Sequence, residues 1–246
     1  MKNKLIVIFA FAFGLFTSCS SDDDTADVSK LTSFPLITLN GDTEMFITEG
    51  EEYVEPGANA TEAGSEIELT TSFESGTYRA ISGLDTDVSD QYIIEYSATN
   101  QDGFDGSAFR TIWVAGDGDF NSSIEGLYTS TVTRNGSSTR SDMQYIIVWK
   151  NEDGSYGVSD AIGGWYDFGS GYGSAYAAKG LSFDFDLTSN TFTSGTESTL
   201  PWGGTVYMTS LSIDPSAKTI NFVTDWDYAG TVAAYSFDVT LTKVEF

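Results

Sequence analysis

From Leu181 to Thr188 the chain alternates without a break: Leu181, Phe183, Phe185 and Leu187 against Ser182, Asp184, Asp186 and Thr188. Successive side chains of a strand point to opposite faces, so this pattern reads as a half-buried strand with one wet face. The same period of two returns at Tyr92, Ile94, Tyr96 and Ala98, at Tyr145, Ile147 and Trp149, and at Tyr235, Phe237, Val239 and Leu241. Helical periodicity is absent throughout. The spacing therefore predicts an all-β protein.

Turn signals divide the strands into two groups. About seven short strands are expected between Phe34 and Gly116, including Pro35–Gly41, Glu66–Glu74 and Phe109–Val114, which suits a β-sandwich. In the Glu66–Glu74 stretch, Ile67, Leu69, Thr71 and Phe73 are expected on one face. Residues 117–123 form a polar Gly/Asp linker. Residues 124–246 read as an antiparallel meander of about eight strands, with Asn135-Gly136 and Asn151–Gly154 as hairpin turns. Short consecutive hairpins favour an up-and-down β-barrel over an open sandwich, because closure removes exposed edges.

The first 18 residues read as a secretory signal. Lys2 and Lys4 precede an apolar run, Leu5 to Phe16, that is too short to span a bilayer as a helix. Cys19, the only cysteine, follows Thr17 and Ser18, and this arrangement resembles a bacterial lipobox, in which the cysteine is lipidated. Residues 19–33 form an acidic tether, and Ser20–Asp24 resembles the export signal of Bacteroidetes surface lipoproteins. The implied location is the outer membrane, held by acyl chains and facing outward.

Aspartate and glutamate total 36 against 11 lysines and arginines, a formal net charge of −25. Such a polyanion repels nucleic acid. Histidine is absent, which removes the usual general base near neutral pH and the commonest metal ligand. Asp117, Asp119 and Asn121 match the opening of a calcium loop. Ser122 and Tyr128 stand where that loop needs Gly and Glu, so an acidic linker is the expectation, with no metal and no cofactor.

The elements PLITLNGD, EYVEPGANATEAG, YIIEYSATNQDG and RTIWVAG resemble the bacterial Ig-like domain of surface proteins, with Glu55 where the family often has Asp. GLYTSTVTRNG, DGSYGVSDAIGGWYDFGSGYG, PWGGTVYM and YSFDVTLTKVEF resemble the C-terminal, lipocalin-like domain of a Bacteroidetes lipoprotein family. The combined resemblance implies an Ig-like β-sandwich at 34–116 and a lipocalin-like β-barrel at 124–246. It further implies an accessory role beside a SusC/SusD-type outer-membrane importer.

The chemistry points to binding rather than catalysis. The Ser155–Tyr176 stretch sets six aromatic rings among glycines. Sugars present C–H faces to such rings and hydroxyls to carboxylates and backbone groups. The candidate ligand-binding residues are Trp165, Tyr166, Tyr172, Trp202, Trp226, Asp160 and Asp227, for a glycan or a peptide. Trp165 is weighed evenly between exposed platform and core plug; for Trp202 and Trp226 the core reading is ahead, and for Asp160 a turn cap is ahead of ligand contact. Trp113 and Trp149 sit in alternating strands and are expected in the core. Asp160, Asp167, Asp225 and Asp227 could supply a glycosidase pair, but carboxylates are so common here that chance proximity is expected. The other reading is a structural subunit that docks on an importer and has no ligand of its own.

Overall fold

The computed structural model describes residues 31–228 and 234–246. The signal segment, Cys19 and the tether up to Lys30 lie outside the described residues.

The first domain holds seven strands in two sheets. β1 (Leu36–Leu39), β3 (Ala58–Glu62) and β4 (Ser65–Glu66) form one, in the order β1-β3-β4. β2 (Glu44–Thr48), β7 (Asp105–Ala115), β6 (Asp90–Thr99) and β5 (Thr70–Phe73) form the other, with β2 parallel to β7. Tyr92, Ile94, Tyr96, Ile112 and Val114 are buried between them, as the period-two pattern of β6 requires. The Glu66–Glu74 stretch is not one strand. It divides between β4 and β5, and all of β5, Phe73 included, is exposed on a sheet edge.

The EPG element has a structural use. The Glu55 carboxylate accepts bonds from the hydroxyls of Tyr53 and Tyr96, from the Gly57 N–H, and from the guanidinium of Arg110. Arg110 is fully buried and also donates to the carbonyls of Asp42 and Asn40. A buried guanidinium is tolerated only when its donors are met, and here backbone and carboxylate meet them.

The second domain is one nine-stranded antiparallel sheet. Its strands are β8 (Gly126–Arg134), β9 (Ser138–Lys150), β10 (Tyr156–Val158), β11 (Ser182–Asp186), β12 (Thr191–Gly195), β13 (Glu197–Thr199), β14 (Thr205–Asp214), β15 (Thr219–Trp226) and β16 (Tyr235–Lys243). The order is β12-β11-β10-β9-β8-β16-β15-β14-β13, so the first and last strands of the meander pair and the sheet curls round a core. The expected meander is present, but the two ends, β12 and β13, are not joined by a ladder: the form is a curled half-barrel. Across that seam the Asn190 side chain donates to the Ile213 carbonyl at 3.2 Å and accepts from its N–H at 3.0 Å.

The two domains share a core. On β9, Met143, Ile146 and Val148 face the half-barrel interior, whereas Tyr145, Ile147 and Trp149 pack with Trp113, Ala115 and Tyr78 of the first domain. Trp113 and Phe46 meet Tyr145 edge-on, with centroids at 5.3 and 5.5 Å. The uninterrupted apolar run Tyr145–Trp149 follows from this: a strand covered on both faces has no wet side.

Candidate functional site

The 23 residues between β10 and β11, 159–181, fold into the half-barrel. Asp160 anchors them. Its fully buried carboxylate accepts the N–H groups of Ile162, Gly164 and Ala178 at 3.0–3.1 Å. Burial pushes its pKa up to about 7, against those backbone bonds, which favour the charged form. Gly163 has φ of +64°, and a Cβ there would stand 2.7 Å from Val132 and Val239, so only glycine lets the segment turn inside the sheet.

Trp165 is the plug of this interior and is 1% exposed. Its ring meets Phe237 edge-on at 6.1 Å, and the guanidinium groups of Arg134 and Arg140 lie 4.8 and 4.2 Å from its centroid. The ligand-platform reading of Trp165 is corrected here, and for Asp160 the turn cap is the arrangement found. Neither Trp165 nor Asp160 offers a surface to a ligand: the indole fills the space the curled sheet encloses, and both oxygens of Asp160 hold the backbone of the loop.

The other five candidates come together at one end of the half-barrel, with Tyr172 and Trp202 at the surface. Tyr166 meets Trp202 edge-on at 4.8 Å and lies parallel to Tyr172 at 6.3 Å. Trp202 lies 6.2 Å from Trp226, and Asp227 follows directly in the chain. Trp226 is the floor, 4% exposed, with its indole N–H donated to the Gly203 carbonyl at 2.9 Å. Asp227 turns inward to accept the Thr205 N–H, so it braces the Trp202 turn. Gly203 and Gly204 in that turn have φ of +84° and +80°, and a Cβ on Gly204 would strike the Trp226 indole.

Three rings of the array that the sequence reading left out complete it. Tyr176 lies 5.0 Å from Trp202, Tyr228 lies 5.0 Å from Trp226, and Tyr235 stacks on Trp226 at 5.3 Å. Tyr172, Trp202 and Tyr228 remain 55, 42 and 44% exposed. Tyr176 closes the quoted aromatic stretch and Tyr235 opens an alternating strand, but only the curl of the sheet brings them to one end. Among the described residues, two clefts of about 420 Å³ are lined by residues other than the rings of the array. One is lined by Arg140–Gln144, Phe168 and Gly169, the other by Tyr53, Glu55, Phe73, Gly83 and Leu84.

The linker carboxylates part company. Asp117 pairs with Lys243 at 2.5 Å, while Asp119 accepts the N–H groups of Asn121 and Ser122. Those bonds to the charged form bring the Asp119 pKa down to about 2.

Fold and site together define a two-domain, all-β protein with an aromatic array at one end of its second domain. Comparison with known proteins agrees. A model for a bacterial surface protein Ig-like domain matches residues 37–114, and a C-terminal domain model matches residues 117–243. The lipoprotein BT2262 of Bacteroides thetaiotaomicron is similar in structure, with 28% identity and a TM-score of 0.59 over 85% of this chain and all of that one. The chain belongs to the BT2262-like lipoprotein family. Two structures containing modules of Clostridium perfringens ZmpB align at 15 and 16% identity. Their TM-scores are 0.25 and 0.26, over 85 and 87% of this chain and 43 and 21% of those chains, too low to establish a shared fold. No curated protein matches the chain.

Proposed function

We propose that the protein is an outer-membrane surface lipoprotein that binds a glycan through the aromatic array, as a non-catalytic component of a nutrient uptake system. One observation carries this reading. Tyr166 and Tyr172, Trp202, and Trp226, from three separate segments, converge on one end of the half-barrel, with Tyr172, Trp202 and Tyr228 left exposed. Exposed aromatic area of this kind supplies stacking faces for sugar rings at little ordering cost. A non-catalytic role is supported by the candidate carboxylates. Asp160 is consumed by backbone donors, Asp167 accepts a tyrosine hydroxyl, and Asp227 holds the Thr205 N–H.

The test is tryptophan fluorescence of the mature protein titrated with a panel of oligosaccharides and peptides, repeated on Trp202→Ala. A saturable shift with an oligosaccharide class, weakened at least about tenfold in the variant, supports the reading. A shift with peptides alone replaces the glycan with a peptide.

A second reading is favoured by the exposure of three rings of the array, Tyr172, Trp202 and Tyr228. An exposed aromatic surface also suits docking on an importer. Co-purification with an outer-membrane importer, lost in Trp202→Ala and without response to any sugar or peptide, selects this reading.

A further inference from the structure

The array has one cationic member. Arg134 ends β8 and belongs to the inward-facing row of that strand, with Val132 and Tyr128. Its guanidinium lies 4.8 Å from the Trp165 centroid and 5.3 Å from that of Tyr235, so its faces are used by rings. Its edge is nearly idle. Among the described residues its only side-chain hydrogen bond is a long one, 3.5 Å, to the hydroxyl of Tyr166, and no carboxylate lies within ion-pair distance. A guanidinium carries five donors in a planar fork that fits a carboxylate bidentately.

The isolation of Arg134 is notable in this chain. Carboxylates outnumber cations by 36 to 11, yet none of the described ones has been drawn to it. Asp227 faces the Thr205 backbone, and Asp225 alternates with the inward-facing Thr224 and Trp226 and so stands on the outer side of the sheet. Arg140, the other guanidinium at Trp165, is occupied by the Trp165 carbonyl at 2.6 Å and the Ser170 hydroxyl at 2.7 Å. The distant carboxylates of the surface are screened beyond a Debye length of about 8 Å at physiological salt, so the local cation decides the contact.

We infer that the array is selective for acidic saccharides: a uronic-acid residue stacks on the exposed rings of Trp202 and Tyr172 and offers its carboxylate to the fork of Arg134. This rests on the glycan reading of the array and narrows it to one sugar class.

The test compares tri-galacturonate with its methyl ester, which keeps the rings and hydroxyls and loses the charge, by calorimetric titration of the mature protein. Arg134→Gln and Arg134→Lys are measured alongside, with near-ultraviolet circular dichroism to establish that each folds. The expected result is binding of the acid at least about tenfold tighter than the ester. That preference is abolished in R134Q, reduced in R134K, and diminished by salt. Equal affinity for acid and ester, both lost in Trp202→Ala, overturns the inference and leaves a neutral-glycan platform. No binding of either, with the neutral panel also silent, overturns the glycan reading itself. Binding of a glutamate-terminated tripeptide with the same dependence on Arg134, in place of the sugar, overturns the saccharide assignment. If both variants fail to fold, an equal response of the parent protein to acid and ester still overturns the inference.

Discussion

The hydroxyl of Tyr78, in the first domain, donates to Oδ2 of Asp167, in the inserted loop of the second, at 3.1 Å. Both groups are buried, and the ammonium of Lys179 lies 5.2 Å from the Tyr78 ring while it donates to the Thr77 carbonyl at 2.6 Å. Burial and the neighbouring carboxylates raise the Tyr78 pKa well above its ordinary value, so the phenol stays a donor. The loop that carries the array is thus fixed to the Ig-like domain as well as to its own sheet.

Removing that donor leaves a buried carboxylate without it. Tyr78→Phe is expected to destabilise the protein by about 1–3 kcal/mol, since the ring packing survives and the hydrogen bond does not. Urea unfolding followed by tryptophan fluorescence measures it. A loss of cooperativity, with the two domains melting separately, would show that this bond also couples them.

Trp165→Ala removes the plug of the half-barrel and two cation–π contacts. A loss of about 3–5 kcal/mol is expected, in the range for large buried aromatics. Trp202→Ala, at a half-exposed ring, is expected to cost under about 1 kcal/mol. Thermal melts of the two variants side by side check the contrast; equal losses would contradict the division between plug and surface.

Asp160 makes stability depend on pH. Its folded pKa of about 7 is above the ordinary aspartate value of about 3.9, so the native state holds this proton more tightly than the unfolded chain. The contribution is full below about pH 4 and is lost as pH rises through about 7. Its size is on the order of a few kcal/mol. Asp160→Asn cannot titrate. The stability of the parent minus that of the variant should fall between about pH 4 and 7, measured by denaturant unfolding at each pH; a flat difference would mean the carboxylate is ionised throughout.

At the seam, Asn190 stands in for a missing ladder. It has φ of +53°, which alanine would strain, so Asn190→Gly isolates the two side-chain bonds to Ile213. A loss of about 1 kcal/mol is expected, with faster amide exchange at Ile213. Unchanged exchange would place the closure of the half-barrel in side-chain packing alone.

Strand content was legible in the sequence because one buried face imposes a period of two, as in Tyr92, Ile94, Tyr96 and Ala98 on β6. The turn at Asn135-Gly136 was legible too, since its φ values of +52° and +64° demand those residues. The pattern misled at Glu66–Glu74, where an exposed edge strand has no core to enforce it. The apolar row Tyr145, Ile147 and Trp149 was readable as one face, but not that the face belongs to the first domain. Tyr166, Tyr172, Trp202 and Trp226 were readable as binding candidates, whereas Tyr176, Tyr228 and Tyr235 joined the array only through the fold. Which were surface and which core was decided only by the tertiary structure. A glycine-rich loop carries no period, so nothing in its sequence separates Trp165, which the curled sheet encloses, from Trp202, which a two-glycine turn holds at the rim.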